Sequence, residues 1–150
     1  EAFTYAVSRE AEEAQTAQET QEDTQQTETA EVSAQTAATG QAIVDYACQF
    51  IGNPYVWGGT SLTDGADCSG FVQSVFAHFG ISLPRTTYEQ IYSGVEVSYD
   101  QAMPGDLICY DGHIGIYVGN GQIVNAQNPD QGIGISPATY TTILSVRRIV

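Results

Sequence analysis

The side chains in this chain best suited to covalent or proton-transfer chemistry are three cysteines, Cys48, Cys68 and Cys109, and two histidines, His78 and His113. Cys68 lies in the run Asp67-Cys68-Ser69-Gly70-Phe71-Val72, after a turn-rich stretch (Gly58, Gly59, Thr60, Ser61, Asp64, Gly65). It opens a segment with apolar residues at Phe71, Val72, Val75, Phe76 and Phe79. That spacing predicts a core-facing helix with the thiol in its first turn and Asp67 as N-cap. A thiol there sits at the positive end of the helix dipole, which favours the nucleophilic thiolate. The same spacing also fits a small buried residue at a helix start, so the decision rests on whether a base is available.

His78 lies ten residues further along the same helix, roughly 15 Å away on another face, and cannot serve as that base. His113 begins a strand just after the Asp111-Gly112 turn. Alternation places His113, Gly115 and Tyr117 on one face and Ile114, Ile116 and Val118 on the other. Two hairpin loops can follow. A three-residue Gly119-Asn120-Gly121 loop pairs Val118 with Gln122 and Gly115 with Asn125, which puts Asn125 beside the His113 ring. A two-residue Asn120-Gly121 loop is the stronger generic signal, and it sends Asn125 to the opposite face. We adopt the three-residue loop, the one that assembles a site: a thiol nucleophile (Cys68), an imidazole base (His113) and an amide that orients the ring (Asn125).

The elements that must hold these residues lie in the C-terminal part. Residues 1–40 carry nine of the 18 acidic residues, one of the four basic ones and few large apolar side chains. This composition reads as a disordered acidic linker or stalk. Residues 41–150 keep nine acidic and three basic residues, a net charge of −6, with length enough for one genuine core. The chain has no Lys and no basic patch, which argues against nucleic acid as a partner, and no apolar run approaches a membrane span. It lacks an initiator Met and a signal peptide, so it reads as a processed or trimmed piece of something longer, and a polar linker before a compact domain suits a secreted or surface protein. Three cysteines leave at least one thiol free unless it pairs between chains. The cysteines and histidines show no paired ligand spacing, so neither a metal nor another cofactor is implied.

Gln41 to Ile51 repeats at helical spacing and stops at Gly52-Asn53-Pro54, with Cys48 a buried structural thiol. Gly80 ends the cysteine helix, and Thr86 with Glu89 suggests a capping box opening a short helix to about Tyr92. From Gly94 the period becomes two. Strands are predicted at Val95–Ser98, Asp106–Tyr110, His113–Val118, Gln122–Ala126, Ile133–Ser136 and Ser145–Val150. Helices first and an antiparallel meander after them give an α+β domain.

Five linked stretches then resemble the NlpC family of papain-like cell-wall cysteine peptidases. They are Pro54-Tyr55-Val56-Trp57-Gly58-Gly59, the Asp67–Val72 run, Leu83-Pro84-Arg85-Thr86, Pro104-Gly105-Asp106-Leu107, and Gly112 through Gly121. The resemblance covers about Ala42 to Val150. It implies a papain-like fold, with N-terminal helices and the nucleophile helix packed on a mostly antiparallel sheet. It also implies hydrolysis of peptidoglycan stem peptides, commonly at the bond from the γ-carboxyl of D-Glu to a diamino acid. By the same resemblance Cys68 is the nucleophile, His113 the base and Asn125 the third polar residue, where many relatives carry His. Tyr55 would help position substrate or oxyanion, and Asp67 and Ser69 would form a substrate-recognition edge. Arg85 matches the family pattern and reads as structural, Cys109 as a buried thiol. A wall-binding module, if the protein has one, would lie upstream of the linker. The same thiol chemistry also suits an amidase or acyltransferase, and a non-catalytic binding domain is the reading from another class.

Overall fold

The computed structural model of the protein describes residues 39–150. Apart from residues 39 and 40, which are helical, the stretch read as an acidic linker lies outside the described residues. Helix α1 spans 39–48 and buries Ile43, Val44 and Ala47. It was expected to run to Ile51, but its last turn tightens: Gln49, Phe50 and Ile51 each donate to the carbonyl three residues back. The chain then leaves the helix axis toward the Gly52-Asn53-Pro54 corner. That corner is tied to the sheet by Gly52 N–H to Ile133 O (2.9 Å) and Ile133 N–H to Asn53 O (3.0 Å).

A small hairpin follows, β1 (Thr60–Ser61) and β2 (Gly65–Ala66), in a stretch that reads as loop from sequence. Helix α2 (Cys68–His78) buries Cys68, Ser69, Gly70, Phe71, Val72, Val75 and Phe76. It ends in a Schellman arrangement, with Gly80 at φ +80°, Gly80 N–H to Ala77 O and Ile81 N–H to Phe76 O. Helix α3 (Thr87–Gln90) is a single turn. Thr86 is its N-cap, but the expected capping box does not form. The Thr86 hydroxyl donates to the Glu89 carboxylate (3.1 Å), a charge-assisted bond that outcompetes capping of a helix this short.

The strands are β3 (Val95–Val97), β4 (Leu107–Tyr110), β5 (His113–Gly119), β6 (Gln122–Ala126), β7 (Ile133–Pro137) and β8 (Ser145–Arg148), with a 3-10 turn at Tyr99–Gln101. They form one antiparallel sheet in the order β3-β8-β4-β5-β6-β7. Period-two alternation gives this sheet two buried faces. Leu107, Cys109, Ile114, Ile116, Val124, Ala126 and Ile133 pack with α1 and α2, while Ile108, Tyr110, Ile123, Ala138 and Val146 form a second cluster. Phe71 and Phe76, both fully buried, pin α2 to the first face, each contributing about 2–3 kcal/mol of apolar burial. Below the sheet end, Asp106 accepts Arg148 Nε (3.1 Å) and Nη2 (2.8 Å) and the Met103 amide, fixing the last strand to the turn before β4. Cys109 is 1% exposed, and burial pushes its thiol up to about 12. No helix among the described residues is long and apolar enough to cross a membrane.

Candidate active site

The Cys68 thiol is held by the loop ahead of it. Asp67 Oδ1 accepts Gly70 N–H (2.8 Å), and Oδ2 accepts Gly58 N–H (2.9 Å) and Arg85 Nη2 (3.0 Å). Arg85 Nη1 also donates to Ser69 Oγ (2.8 Å). Gly70 is required by contact: a Cβ there would overlap the Gly59 carbonyl oxygen. Burial works against the Asp67 charge, but the Arg85 bond and the Gly70 and Gly58 amides more than offset it, so its carboxyl stays below the ordinary range. Asp67 and Ser69 are therefore buried with their polar atoms engaged inside the protein. Arg85, expected to be structural, directs its guanidinium to Asp67, Ser69 and the Gly59 carbonyl.

Cys68 itself is 8% exposed. Burial and then the Asp67 charge push its thiol up, opposed by backbone hydrogen bonds from Ser69, Ile114 and Cys68 itself. The helix start thus acts in the direction foreseen from sequence, but burial outweighs it, and a partner base is needed to form the thiolate. The Ile114 contact matters for a second reason. It brings the thiol against the start of β5, one residue from His113.

His113 is opposite Tyr110 across the Asp111-Gly112 turn, and burial lowers its pKa. The Asn125 side-chain amide lies 2.9 Å from His113 Nε2. The expected face is right but the expected loop is not. Gly119 pairs with Gln122, so the loop is the two-residue Asn120-Gly121, both at positive φ (55° and 74°). A bulge between Tyr117 and Gly119 then adds one residue, and Tyr117 meets Ile123 and Ile116 meets Val124. The left-handed turn matches the twist of the strands, and the bulge restores the register that a three-residue loop would have set. Gly115 leaves the space Asn125 needs, since a Cβ there would stand 3.3 Å from Asn125 Cβ and 2.7 Å from Ile123 Cδ1.

Tyr55, half-buried, packs against the core cluster that includes Cys68; burial first, then the charges of Cys68 and Asp67, raises its phenol. Tyr140, which nothing in the sequence singled out, stands beside His113 in the β7–β8 loop. Its phenol is raised by burial and by the Cys68 charge. Its ring stands edge-on to His113 (6.3 Å, 88°) and 5.1 Å from Tyr110, yet it is 52% exposed. Tyr110 donates its hydroxyl to Ala138 O (2.6 Å), anchoring that loop. Behind Asn125, Ser136 Oγ lies 3.3 Å from the amide and 2.9 Å from Gln127 Oε1; these two residues were also missed. Strand pairing brings Ser136 to the site and the β7–β8 loop brings Tyr140, and no local pattern marks either. His78 plays no part here and stacks on Tyr46 (3.8 Å, 9°).

A helix-start thiol, an imidazole and an amide on one rim can carry out acyl transfer by nucleophilic attack. Residues 52–146 match the NlpC/P60 family. The chain is similar to probable endopeptidase p60 of Listeria innocua, 48% identical over 97 residues that cover 61% of this chain and 20% of that protein. It is also similar to the bifunctional muramidase/DL-endopeptidase CwlT of Bacillus subtilis, 41% identical over 104 residues, 64% of this chain and 31% of that protein. The chain therefore spans a third or less of the length of these two relatives. Its fold superposes on the peptidoglycan hydrolase RipB of Mycobacterium tuberculosis with a TM-score of 0.70, at 33% identity, covering 76% of this chain and 66% of that one.

Proposed function

This chain belongs to the NlpC/P60 family, and from that premise we propose that it is a secreted or wall-associated cysteine endopeptidase acting on peptidoglycan stem peptides. The bond proposed is that between the γ-carboxyl of D-Glu and the diamino acid. The observation that carries the reading is the buried Cys68 thiol against the first residues of β5, where the His113 ring is held by Asn125 at 2.9 Å.

In this reading His113 Nδ1 takes the Cys68 proton, and the thiolate attacks the scissile carbonyl carbon. The tetrahedral oxyanion faces backbone N–H groups at the start of α2, with Tyr55 beside it. Collapse breaks the C–N bond, and the imidazolium delivers its proton to the leaving amine. Water, deprotonated by His113, then attacks the thioester and releases the acid and the thiol. Asp67, Ser69 and Arg85 hold the nucleophile's loop, and Asp67 and Ser69 underlie the acyl-side rim. A wall-binding module upstream would bring the domain to its substrate.

The test is mass spectrometry of defined stem peptides incubated with the protein and with Cys68→Ala. Cleavage at the D-Glu–diamino acid bond, absent in the variant, is the expected result. No cleavage, with Cys68 still rapidly alkylated, would instead indicate another acyl substrate, as for an amidase or acyltransferase. An inert and slowly alkylated Cys68 would favour a binding domain.

A further inference from the structure

We propose that Gln127 and Ser136 form a directional hydrogen-bond relay that sets which nitrogen of His113 faces the thiol, and are positioning residues for the base. The proposal rests on the reading of His113 as that base.

The argument begins at a group with no choice of role. Gln127 Nε2 donates to the backbone carbonyl of Gly132 (3.4 Å), and a carbonyl only accepts. The other end of that amide, Oε1, must then accept, and Ser136 Oγ stands 2.9 Å from it. A hydroxyl has one hydrogen. Once Ser136 gives it to Gln127, its oxygen can only accept, and the Asn125 Oδ1 that stands 3.3 Å from it cannot donate. The Asn125 amide, whose Nδ2 stands 2.9 Å from His113 Nε2, must therefore rotate by half a turn, bringing Nδ2 toward Ser136 and Oδ1 toward Nε2. Nε2 then carries the ring proton, and Nδ1 is left bare for the thiol, the tautomer a base requires. Without this relay the Asn125 amide could keep Nδ2 at Nε2 and donate to it. The proton would then sit on Nδ1, and the base would be lost.

The backbone makes room for the relay. In β7, Gly134 pairs with Asn125 and Ile133 with Ala126, so Ser136, opposite Ile123, lies on the Asn125 face. A Cβ on Gly134 would stand 2.7 Å from Gln127 Nε2. The missing side chain is what lets Gln127 cross β7 to reach Ser136. Gly115 does the same for Asn125 on the other side. The titratable groups whose rings face His113 are Tyr110 of β4 and Tyr140 of the β7–β8 loop, while Cys68 of α2 contacts the backbone of the next residue, Ile114, and Asp111 lies in the adjoining turn. Burial lowers the pKa of the ring.

The chain's two histidines allow a direct reading: ring 15N spectra at pH 8 report the tautomer of His113, with His78 as internal control. Wild type should show Nε2–H at His113. Ser136→Ala, which removes the bias, should give a mixture and lower both Cys68 alkylation at neutral pH and kcat by about tenfold, with KM within twofold. Gln127→Leu should be worse, because Ser136 is then free to donate to Asn125 Oδ1 and force the wrong orientation. Adding Ser136→Ala to Gln127→Leu should recover the level of Ser136→Ala alone, and Ser136→Thr should stay near wild type. Melting temperatures identify any variant that fails to fold, and the remaining variants still decide. The relay is overturned by an unchanged tautomer and alkylation profile in Ser136→Ala and Gln127→Leu, or by additive losses in the double variant. Expected spectra with no stem-peptide cleavage by wild type would leave the relay standing and sink the peptidoglycan reading alone.

Discussion

Replacing Arg85 by Met keeps the aliphatic stem and removes the charge that faces Asp67 Oδ2 at 3.0 Å. At that separation the attraction is about 1.4 kcal/mol in a water-like dielectric and about 5.5 kcal/mol at an effective dielectric near 20. The Arg85 side chain is 33% exposed and that of Asp67 9%, so solvent screening and the cost of burying the carboxylate pull the net figure toward about 2 kcal/mol. For a domain of this size that is a fall of about 8 °C in melting temperature. The pH dependence is the sharper part. Burial opposes the Asp67 charge, but Arg85 and the two loop amides hold its folded pKa below the unfolded value. The stability this contributes is therefore present above about pH 3.9 and lost as pH falls through the lower folded value. The gap between wild type and Arg85→Met should be widest near pH 7 and narrow progressively below pH 4 in urea-unfolding series. The same variant leaves the Asp67 charge uncompensated beside Cys68, so neutral-pH alkylation of the thiol should slow. A gap absent at pH 7, or one that stays constant into acid, would refute the view that this ion pair is what holds the nucleophile's loop.

Three further outcomes follow from the same geometry. Gly115→Ala places a methyl 2.7 Å from Ile123 Cδ1 and 3.3 Å from Asn125 Cβ, so stability should drop by about 1–3 kcal/mol and hydrolysis by far more than stability accounts for, measured by urea unfolding beside peptide turnover. Tyr140→Ala removes the exposed ring beside His113 and should raise KM for stem peptides roughly fivefold, about 1 kcal/mol, while Tyr140→Phe stays near wild type; an unchanged KM would remove Tyr140 from the substrate's path. Brief alkylation at neutral pH followed by peptide mapping should leave Cys109 unmodified in the folded protein, because burial pushes its thiol up to about 12; fast labelling of Cys109 would mean the strand opens.

How much of this was legible in the chain depends on how far apart the cooperating residues lie. The thiol's setting is local: Asp67 caps the helix it precedes, and Phe71, Val72, Val75 and Phe76 bury the face their spacing marked. The His113 strand was equally plain, because an Asp-Gly turn and strict alternation need no partner to be read. Asn125 tests the limit. Its face was assigned correctly through a loop that does not exist, because a two-residue turn with one bulged residue and a plain three-residue loop leave the same register beyond them. Turn propensity identified the turn, the demand for a site identified the register, and only the bulge reconciles the two. Ser136, Gln127 and Tyr140 lay beyond reach for a different reason. None of them has a neighbour in sequence that reveals its role, and each enters the site because β7 pairs with β6 or because the β7–β8 loop folds back over Tyr110. Gly134 was the available clue: a glycine inside a strand, paired with Asn125, is a place where another side chain must cross. Reading strand glycines as spaces kept open for named neighbours, and not merely as weak points in a strand, would have led from Asn125 to Gln127 and on to Ser136.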